Sequence, residues 1–510
     1  MHDADDAVET ELKLRLSPDS RPGLEHHPTF NPPAASTPHT RHEVTTYFDT
    51  PDRMLSSRGA TLRVRRRGRS REQTLKVSGD GHGPLQRGEW NWPIESDMPD
   101  LSRLTQTPIA PILSTIRTAS LQPMFTTDIQ RTTRQLHPDK CTTVEAVFDE
   151  GCILADGSSV PVAEMELELK SGNVQALYQL ALDLLGSVPI ALETASKAER
   201  GFRLLTGNVP EASKAAPIRI DGHASAEEAF KRIVSSTLTH LLSNVGAAGR
   251  GDVEGVHQVR VAVRRLRAAL ALFKQYLNPV ALGRLNDELR RLGSLFGAAR
   301  DWDVFVLETL SAAENSIPEP TVLDPLRKAA ERERLAAHHA VCTELSASSF
   351  ARVVIGIAAS IADGASDLQR KEDNAFNVPI ADIAPDLLDR MARKVSKRGR
   401  HMDRASHEQL HALRKAIKKL RYSVEFLSSL HPRKRVKAYL RPCKSLQELL
   451  GTVNDAAVTL NLSEQLPKTG EDLALGISPL EAWAATRSKK ARHHVSKPWH
   501  KLQSADPFWR

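Results

Sequence analysis

The sequence predicts an α+β, multidomain chain in which a β-rich N-terminal region precedes an all-α C-terminal region. Three observations lead to this prediction. The chain has 510 residues, more than the roughly 250–300 that one hydrophobic core supports. Apolar residues alternate at period two in many segments before residue 171, as half-buried strands require, and recur at helical spacing beyond residue 222. A segment of the helical region is also duplicated.

The composition excludes several classes of protein. With 40% hydrophobic and 26% charged residues, wholesale disorder is excluded. The longest apolar candidate for a membrane span, 353–362, is far shorter than the ~20 residues required. The N-terminus is acidic where a secretory signal is basic and then apolar, and the four cysteines form no C-x-x-C pair. We therefore expect a cytoplasmic protein without a membrane partner, a disulfide framework or a zinc site.

Charge is distributed unevenly along the chain. Residues 1–220 contain 25 Lys and Arg against 29 Asp and Glu, whereas residues 221–510 contain 45 against 33. The second half is therefore strongly basic, which indicates a polyanionic partner.

The first strand has one apolar and one charged face. Between residues 8 and 16, Glu9, Glu11, Lys13 and Arg15 alternate with Val8, Thr10, Leu12 and Leu14. A solvated outer face is the ordinary interpretation of one such strand. However, whole strands here are acidic or basic: the acidic faces are Glu9/Glu11 and Glu164/Glu166/Glu168, and the basic ones are Arg63/Arg65 and Lys76.

These acidic and basic strand faces can balance each other if the sheet curls into a barrel, so that both signs of charge line one interior. Carboxylates bind Mg²⁺, which bridges them to phosphates, and Arg and Lys bind the remaining phosphate oxygens. The pattern therefore predicts a closed barrel whose polar lumen binds a chain of phosphates.

Seven motifs in order resemble the CYTH family, the triphosphate tunnel metalloenzymes. They are ETELK at 9–13, YFDT at 47–50, LRVR at 62–65, TLK at 74–76, FDEG at 148–151, EMELELK at 164–170 and SKAERG at 196–201. The first motif alone arises often by chance, but the whole series in register over about 200 residues is specific.

The resemblance implies an eight-stranded antiparallel β tunnel with flanking helices that hydrolyses a triphosphate with Mg²⁺ or Mn²⁺. It implies a catalytic set of Glu9, Glu11 and Lys13, and metal ligands Glu9, Glu11, Asp149, Glu166 and Glu168. The implied phosphate-binding residues are Lys13, Arg63, Arg65, Lys76, Arg131 and Lys197. Glu164 lies on the same strand face as Glu166 and Glu168 and stays open as a further metal ligand. Arg87 and Glu89 stay open as further site residues. A turn residue is the alternative for Asp149, and a surface lysine for Lys197.

The regions around the tunnel motifs give further predictions. Six prolines predict that 17–42 is mostly irregular, where the family usually has a helix. A helix over 173–185, with Asn173 as its N-cap, suits the outer face of the barrel. The predicted domains are 1–205 for the tunnel, 206–222 for a linker and 223–510 for the helical region.

The helical region contains a repeat. HQVR at 257–260 and RRLR at 264–267 return as HALR at 411–414 and KKLR at 418–421, an offset of 154 residues. We therefore predict two duplicated units, about 223–370 and 375–510.

Each copy carries a basic stripe at helical spacing. The stripes are His257, Arg260, Arg264 and Arg267, and His411, Arg414, Lys418 and Arg421; Arg265, Lys415 and Lys419 are adjacent. A solvated face is the plain alternative, but few acidic residues lie at i,i+4 to balance these cations. The stripes therefore favour a bound polyanion.

This pattern resembles the CHAD domain, an all-α module of two four-helix halves. The resemblance implies that the eight stripe residues bind inorganic polyphosphate in a basic central cavity. For the two histidines, a neutral, hydrogen-bonded residue at a helix end is the alternative.

Together, the motifs favour a metal-dependent inorganic triphosphatase whose helical domain binds polyphosphate. Thiamine triphosphatase, class IV adenylate cyclase and RNA triphosphatase are alternatives on the same fold. A non-catalytic polyphosphate-binding adaptor is an alternative of another class. Nucleic-acid binding is disfavoured because no aromatic residues for base stacking accompany the arginines.

Overall fold

A computed structural model describes residues 8–17, 20–31, 35–77, 86–113, 115–116, 121–362, 368, 376–466 and 471–510. The chain forms two compact units. The first comprises Met1–Glu211 with Glu344–Ser366, and the second comprises Ala212–Thr343 with Asp367–Arg510.

The first unit contains a closed antiparallel β barrel. Its strands are β1 Val8–Arg15, β2 His39–Asp49, β3 Ala60–Arg67, β4 Ser70–Val77, β5 Gln86–Ile94, β6 Gln122–Leu136, β7 Thr143–Ala155 and β8 Ser158–Ser171. They are ordered β5-β4-β3-β2-β6-β7-β8-β1, and β1 also pairs with β5, which closes the ring. The predicted eight-stranded antiparallel tunnel is confirmed. A two-residue strand, β9 Ala191–Leu192, pairs with the end of β1.

The pleat of the barrel separates charged from apolar side chains. On β1, Leu12 and Leu14 are fully buried, while Glu11 and Lys13, which alternate with them, line the interior cavity. On β5, Trp90 packs against an apolar cluster, while Glu89 lines the cavity. Because successive side chains of a strand point to opposite faces, the alternating sequence produces a charged lumen inside an apolar shell.

Short helices flank the barrel: α1 Ser20–Glu25, α2 Ala110–Leu113, α3 Val174–Ser187 and α4 Lys197–Thr206. The Asn173 side chain accepts a hydrogen bond from the backbone of Gln175, so it caps α3 as predicted. Within 17–42 the described part contains α1, a 3₁₀ turn at Pro28–Phe30 and the start of β2 at His39. That segment therefore has more regular structure than its prolines indicate.

Helices dominate the rest of the chain: α5 Ala226–Ala248, α6 Val253–Leu272, α7 Pro279–Asp303, α8 Ser311–Glu314, α9 Asp324–Leu345, α10 Ser348–Ile361, α11 Ile380–Gly399, α12 His407–Phe426, α13 Arg433–Gln465, α14 Glu471–His494 and α15 Ser496–Gln503. A π-helical turn, Val304–Leu310, joins α7 to α8. In the described part of the chain no single helix is both long and apolar enough to cross a membrane, although a bent pair, Pro320–Leu345 with Ser348–Ile361, passes that test by length and composition.

The second unit is built from a duplicated set of helices. The helices α5, α6 and α7 begin at residues 226, 253 and 279, and α11, α12 and α13 begin 154 residues later in each case. Ala226 donates its backbone N–H to Val378 at 2.9 Å, and Ile380 donates to Ala224 at 2.8 Å. These pairs are equivalent residues of the two copies that exchange hydrogen bonds, as a local two-fold axis requires. The predicted duplication is confirmed.

Helix α10 belongs to the first unit, although its residues fall within the predicted helical domain 223–510. It packs against α3 and β9. The Ser348 hydroxyl donates a hydrogen bond to the carbonyl of Ile190, and the Gln175 amide donates to the carbonyl of Ala359, both at 2.7 Å. The apolar face of α10, which includes Val354 and Ile355, is buried there. The barrel unit is therefore made from two separate stretches of the chain.

Candidate active site

The barrel encloses a cavity of about 480 Å³ that is lined largely by charged side chains. The predicted site residues that line it are Glu11, Lys13, Arg63, Arg65, Lys76, Arg131, Glu166, Glu168 and Lys197. They come from separate strands and one helix of the first 200 residues, so closure of the barrel is what brings them together. The side chains of Glu9 and Arg87 lie outside the described residues; the backbone of Glu9 pairs with that of Arg87 between β1 and β5.

One end of this site is a buried carboxylate cluster with an ammonium at its centre. The Nζ atom of Lys197, the first residue of α4, lies 2.6 Å from Asp149, 2.5 Å from Glu164 and 2.9 Å from Glu166. Oxygens of these three carboxylates lie within 4.8 Å of one another, a spacing that could also hold a metal ion. Here Lys197 supplies the positive charge instead, and its burial excludes the surface-lysine alternative.

The ionisation of this cluster follows from burial and mutual attraction. Burial acts against every charged form, but Lys197 and Arg131 hold the pKa of Asp149 below its usual value, and Lys197 and Lys13 hold the pKa of Glu166 well below. The same carboxylates raise the pKa of Lys197 well above its usual value against its burial. The pKa of Glu164 is raised because burial dominates at that residue.

Asp149 anchors cations. It lies within β7 and is fully buried, which excludes the turn-residue alternative. The Nε and terminal amino groups of Arg131 donate to its two oxygens at 2.8 and 2.5 Å, and Lys197 lies against the second oxygen. Both oxygens are therefore engaged, and Asp149 does not line the cavity. Its assignment as a metal ligand stays a prediction.

A second acidic group faces the cavity. Lys13 lies 2.6 Å from Glu11 in this group, and Lys170 lies 2.6 Å from Glu168 and 3.3 Å from Glu145. Register places Glu145 on β7 opposite Glu168 on β8, and Glu168 opposite Glu11 on β1, so three carboxylates form a row across three strands. The pKa of Glu168 is raised by its burial and further by Glu11 and Glu145, against the attraction of Lys170. Like charges directly opposite on neighbouring strands are unfavourable, and a divalent cation relieves that repulsion.

Glu145 was not among the ligands predicted from the sequence. Its strand parity matches that of Asp149, but that parity alone does not distinguish it from an ordinary surface glutamate. What identifies Glu145 as a candidate ligand is the register of β7 against β8 in the structure, which places it opposite Glu168.

The opposite wall of the cavity is basic and has its own anchor. Glu43 on β2 is only 4% exposed and lies 3.5 Å from Arg65, 2.6 Å from Arg67 and 3.6 Å from Arg131. Burial, then Arg63 and Arg131, lowers the pKa of Arg65 to about 10, a value at which it remains charged at neutral pH. This concentration of guanidinium groups attracts an anion. Neither Glu43 nor Arg67 was predicted from the sequence.

In the second unit the two predicted stripes meet in one cluster, called here the central cluster: Arg260, Arg264, Arg414, Lys418 and Arg421. Helices α6 and α12, which carry these residues, pack against each other. Burial, then Arg264, Arg414 and Arg260, lowers the pKa of Lys418 to about 6. The buried Nε atoms of Arg264 and Arg414 have no hydrogen-bond partner in the described part of the chain. Asp301 lies 3.3 Å from Arg260 and Glu425 lies 3.4 Å from Arg421, but the cluster as a whole remains a concentration of positive charge.

The stripe histidines lie beside this cluster in a neutral state. Burial, then Arg300, lowers the pKa of His257 to about 4. Burial also lowers the pKa of His411, whose Nδ1 lies 2.6 Å from the side-chain oxygen of Asn454. His411 thus agrees with the alternative of a neutral, hydrogen-bonded histidine, whereas the buried Nδ1 of His257 has no hydrogen-bond partner among the described residues. Arg267, the remaining stripe residue, has its pKa lowered by burial and by Arg290.

The first unit is a β tunnel with facing acidic and basic walls, and the second is a duplicated helical bundle with a cationic centre. Residues 7–202 match the family model of the CYTH domain, and residues 232–464 match that of the CHAD domain. The chain thus contains a CYTH domain followed by a CHAD domain, as the motifs indicated.

Known proteins resemble parts of the chain. An inorganic triphosphatase of Haemophilus influenzae is 36% identical over 161 residues, which are 31% of this chain and 45% of that protein's length. An uncharacterized protein of Mycobacterium tuberculosis is 24% identical over 439 residues, or 81% of this chain and 80% of that one. The crystal structure of the CHAD domain from the plant Ricinus communis matches with a TM-score of 0.51 and 26% identity, covering 58% of this chain and 98% of that one.

Proposed function

We propose that the tunnel hydrolyses inorganic triphosphate to diphosphate and phosphate with Mg²⁺ or Mn²⁺, and that the helical unit binds inorganic polyphosphate. The observation that carries the proposal is one closed cavity with a guanidinium-rich wall facing a carboxylate row. The inorganic triphosphatase that resembles the tunnel region supports it.

The carboxylates of the cavity fit a divalent cation. Glu11, Glu168 and Glu145 would hold it, because they are adjacent in register and the pKa of Glu168 reflects their mutual repulsion. The family resemblance adds Glu9, Asp149 and Glu166 to this set. When bound, the cation supplies positive charge that neutralises phosphate oxygens as the terminal bond breaks.

The chain's own residues bind and orient the substrate. Arg63, Arg65 and Arg131 offer donors to the non-bridging oxygens of a triphosphate, and Lys76 adds a point charge. In the reaction a water oxygen attacks the terminal phosphorus, the bond to the diphosphate oxygen breaks and the water loses a proton. Negative charge builds up on the departing diphosphate, where fixed guanidinium groups stabilise it. Glu43 and Asp149 hold those groups in place before the substrate arrives.

The lining favours an inorganic substrate. Tyr47 is the sole aromatic side chain among the described residues that line the cavity, and the rest are mostly charged. A thiamine or nucleoside moiety requires an apolar or stacking surface that these residues do not provide. This favours triphosphatase activity on tripolyphosphate over thiamine triphosphatase or adenylate cyclase activity.

The central cluster supports the polyphosphate proposal. Burial, and then repulsion by the arginines, lowers the pKa of Lys418 to about 6, and a linear polyanion relieves this repulsion. Such a ligand also supplies acceptors for the unpartnered Nε atoms of Arg264 and Arg414.

The test is phosphate release from tripolyphosphate, ATP and thiamine triphosphate with Mg²⁺ or Mn²⁺. We expect tripolyphosphate to be the preferred substrate and Glu11→Ala to abolish turnover without lowering the Tm. Glu95→Ala, an exposed acidic residue of the same unit, is the matched control and should retain activity. Undiminished turnover in Glu11→Ala would remove the metal assignment. Absence of turnover with every substrate, together with tight polyphosphate binding, would overturn the proposed hydrolysis and favour a non-catalytic polyphosphate-binding adaptor.

A further inference from the structure

Lys170 is the last residue of the EMELELK motif, and the proposed reaction gives it no role. It lies near the end of β8, on the same strand face as Glu168, and its side chain lines the tunnel cavity. Its Nζ atom lies 2.6 Å from a side-chain oxygen of Glu168 and 3.3 Å from one of Glu145. One ammonium group therefore bridges two carboxylates of the row that would hold the divalent cation.

This bridge offsets a repulsion that the strand register creates. Glu145 and Glu168 lie directly opposite each other on β7 and β8, an arrangement that is unfavourable for like charges. Glu11, on the other side of Glu168, has Lys13 as its partner at 2.6 Å. Lys170 therefore supplies positive charge on the Glu145 side of the row, where the ammonium and a divalent cation have the same carboxylates as partners.

The two lysines of the row differ in how firmly they are held. The side chain of Lys13 is 16% exposed and lies between Glu11 and Glu166, the latter 3.5 Å away. The side chain of Lys170 is 41% exposed, and β8 ends one residue later at Ser171. Because lysine carries its charge on a flexible four-carbon chain, the Lys170 ammonium can move into solvent without a change in the backbone. Lys170 is thus the cation that can leave the row.

We propose that Lys170 competes with the divalent cation for Glu145 and Glu168: its ammonium leaves the row when the cation binds, and the tunnel thereby selects divalent over monovalent cations. This inference rests on the proposed metal dependence of the tunnel. Exchange of the ammonium for a monovalent ion brings no gain in charge and gives up a partner that the chain keeps at high local concentration. Exchange for a divalent ion doubles the charge that faces the carboxylates.

The experiment measures Mn²⁺ binding to the full chain without substrate, from the electron paramagnetic resonance signal of free Mn²⁺. Lys170→Met removes the charge and keeps a long side chain, whereas Lys170→Arg keeps the charge. Lys76→Met is the matched control, because Lys76 lines the same cavity but lies 2.8 Å from Glu89, outside the row. Each protein is titrated in potassium chloride and in tetramethylammonium chloride at equal ionic strength, since methyl groups keep the organic charge away from carboxylate oxygens.

We expect Lys170→Met to bind Mn²⁺ about tenfold more tightly than the unmodified chain, and to bind it more weakly in potassium than in tetramethylammonium. The unmodified chain, Lys170→Arg and Lys76→Met should have similar affinities and show no difference between the two salts. Unchanged affinity in Lys170→Met, or equal gains in Lys170→Met and Lys76→Met, overturns the inference and leaves the proposed function intact. Failure of the unmodified chain to bind Mn²⁺ overturns the proposed metal dependence together with the inference.

A second measurement follows the Lys170 ammonium itself. Brief acetylation of the unmodified chain with acetic anhydride, read by mass spectrometry, compares the labelling of Lys170 with and without Mg²⁺. Lys140, an exposed residue of the same unit, is the internal standard. We expect Mg²⁺ to increase the labelling of Lys170 relative to Lys140, because the released amine no longer donates hydrogen bonds to carboxylates. Equal labelling in the two conditions overturns the inference whatever the affinities of the variants.

Discussion

The ammonium of Lys197 lies 2.6 Å from the Oδ2 atom of Asp149, at the centre of carboxylates that the barrel buries almost completely. The pair joins the N-terminus of α4 to the middle of β7, so it fixes a helix against the tunnel wall. Because Asp149 also orients Arg131, the position of one predicted phosphate-binding group depends on this pair.

Replacement of Lys197 by Met should destabilise the first unit. The variant leaves buried carboxylates without their main counter-ion, and loss of one partner of a buried pair costs about 3 kcal/mol or more. The pKa values of Asp149 and Glu166 are lowered in the folded state, so their contribution to stability is present above about pH 4 and is lost as the pH falls. The deficit of the variant should therefore persist from pH 7 down to about pH 4 and shrink as the pH falls further, as urea unfolding can measure.

A second substitution checks this explanation. Glu164 is the carboxylate of the cluster whose pKa is raised, and its neutral form is therefore the easiest to accommodate. Adding Glu164→Gln to Lys197→Met should recover part of the lost stability. Additive losses in the double variant would contradict the electrostatic explanation.

Glu43→Gln should lower kcat for tripolyphosphate by about tenfold or more while changing KM less. Removal of the charge frees Arg65 and Arg131 to move apart, and preorganised donors are what stabilise charge in the transition state. Binding suffers less because the wall becomes more positive. Glu72→Gln is the matched control, since Glu72 lies 3.8 Å from Arg65 but is partly exposed. Equal effects of the two substitutions would assign Glu43 no special role.

The combined change Arg260→Ala and Arg414→Ala should weaken polyphosphate binding by about tenfold or more, since it removes the equivalent cation from both copies of the repeat. Turnover of tripolyphosphate should be unaffected, because neither residue lines the tunnel cavity. Fluorescence titration and phosphate release measured on the same preparation separate the two effects. A parallel loss of polyphosphate binding and tripolyphosphate turnover would show that the two units do not act independently.

Polyphosphate binding should take up a proton at Lys418. With a pKa of about 6, this lysine is largely neutral at pH 7.5 in the free protein, and a bound polyanion favours its charged form. The groups that act on it are Arg260 and Arg264 on α6, Arg414 and Arg421 on α12, and Asp455 on α13; Asp301 on α7 acts on the neighbouring Arg414. Affinity should therefore fall as the pH rises from 6 to 9, and calorimetry in buffers of different ionisation enthalpy should detect the proton.

Lys418→Arg is the control for that measurement, because the equivalent residue of the first copy is Arg264 and arginine stays protonated. The variant should lose the proton uptake and most of the pH dependence of binding.

In the free protein, the folded state binds fewer protons than the unfolded state between about pH 6 and 10, so the free energy of unfolding attributable to Lys418 rises with pH over that window. Lys418→Arg should flatten this rise, and an unchanged slope would contradict it.

On β1 the alternation of residues was sufficient to predict which side chains face the lumen. Glu11 and Lys13 face it and Leu12 does not, because period two is a property of the strand alone. Which strands are neighbours is a tertiary property. Glu145 therefore gave no signal until it was seen opposite Glu168, and Glu43 looked like any strand glutamate until three arginines were seen around it.

The repeat predicted the helical unit closely, because duplicated motifs carry their helix boundaries with them: α6 and α12 begin 154 residues apart, as the motifs do. The sequence prediction assigned the whole of 223–510 to the helical domain, and α10 with it, whereas the structure places α10 in the barrel unit. Its apolar run, 353–362, indicated only that the segment is buried, and an apolar face does not specify which surface it covers.

Helix α10 has a consequence for any attempt to divide the protein. A protease that cuts within 206–222 separates the polypeptide into two fragments, but the later fragment still carries the helix that completes the barrel unit. The products of such a nick should co-purify, and a gene truncated at the same point should yield a barrel with an uncovered apolar flank.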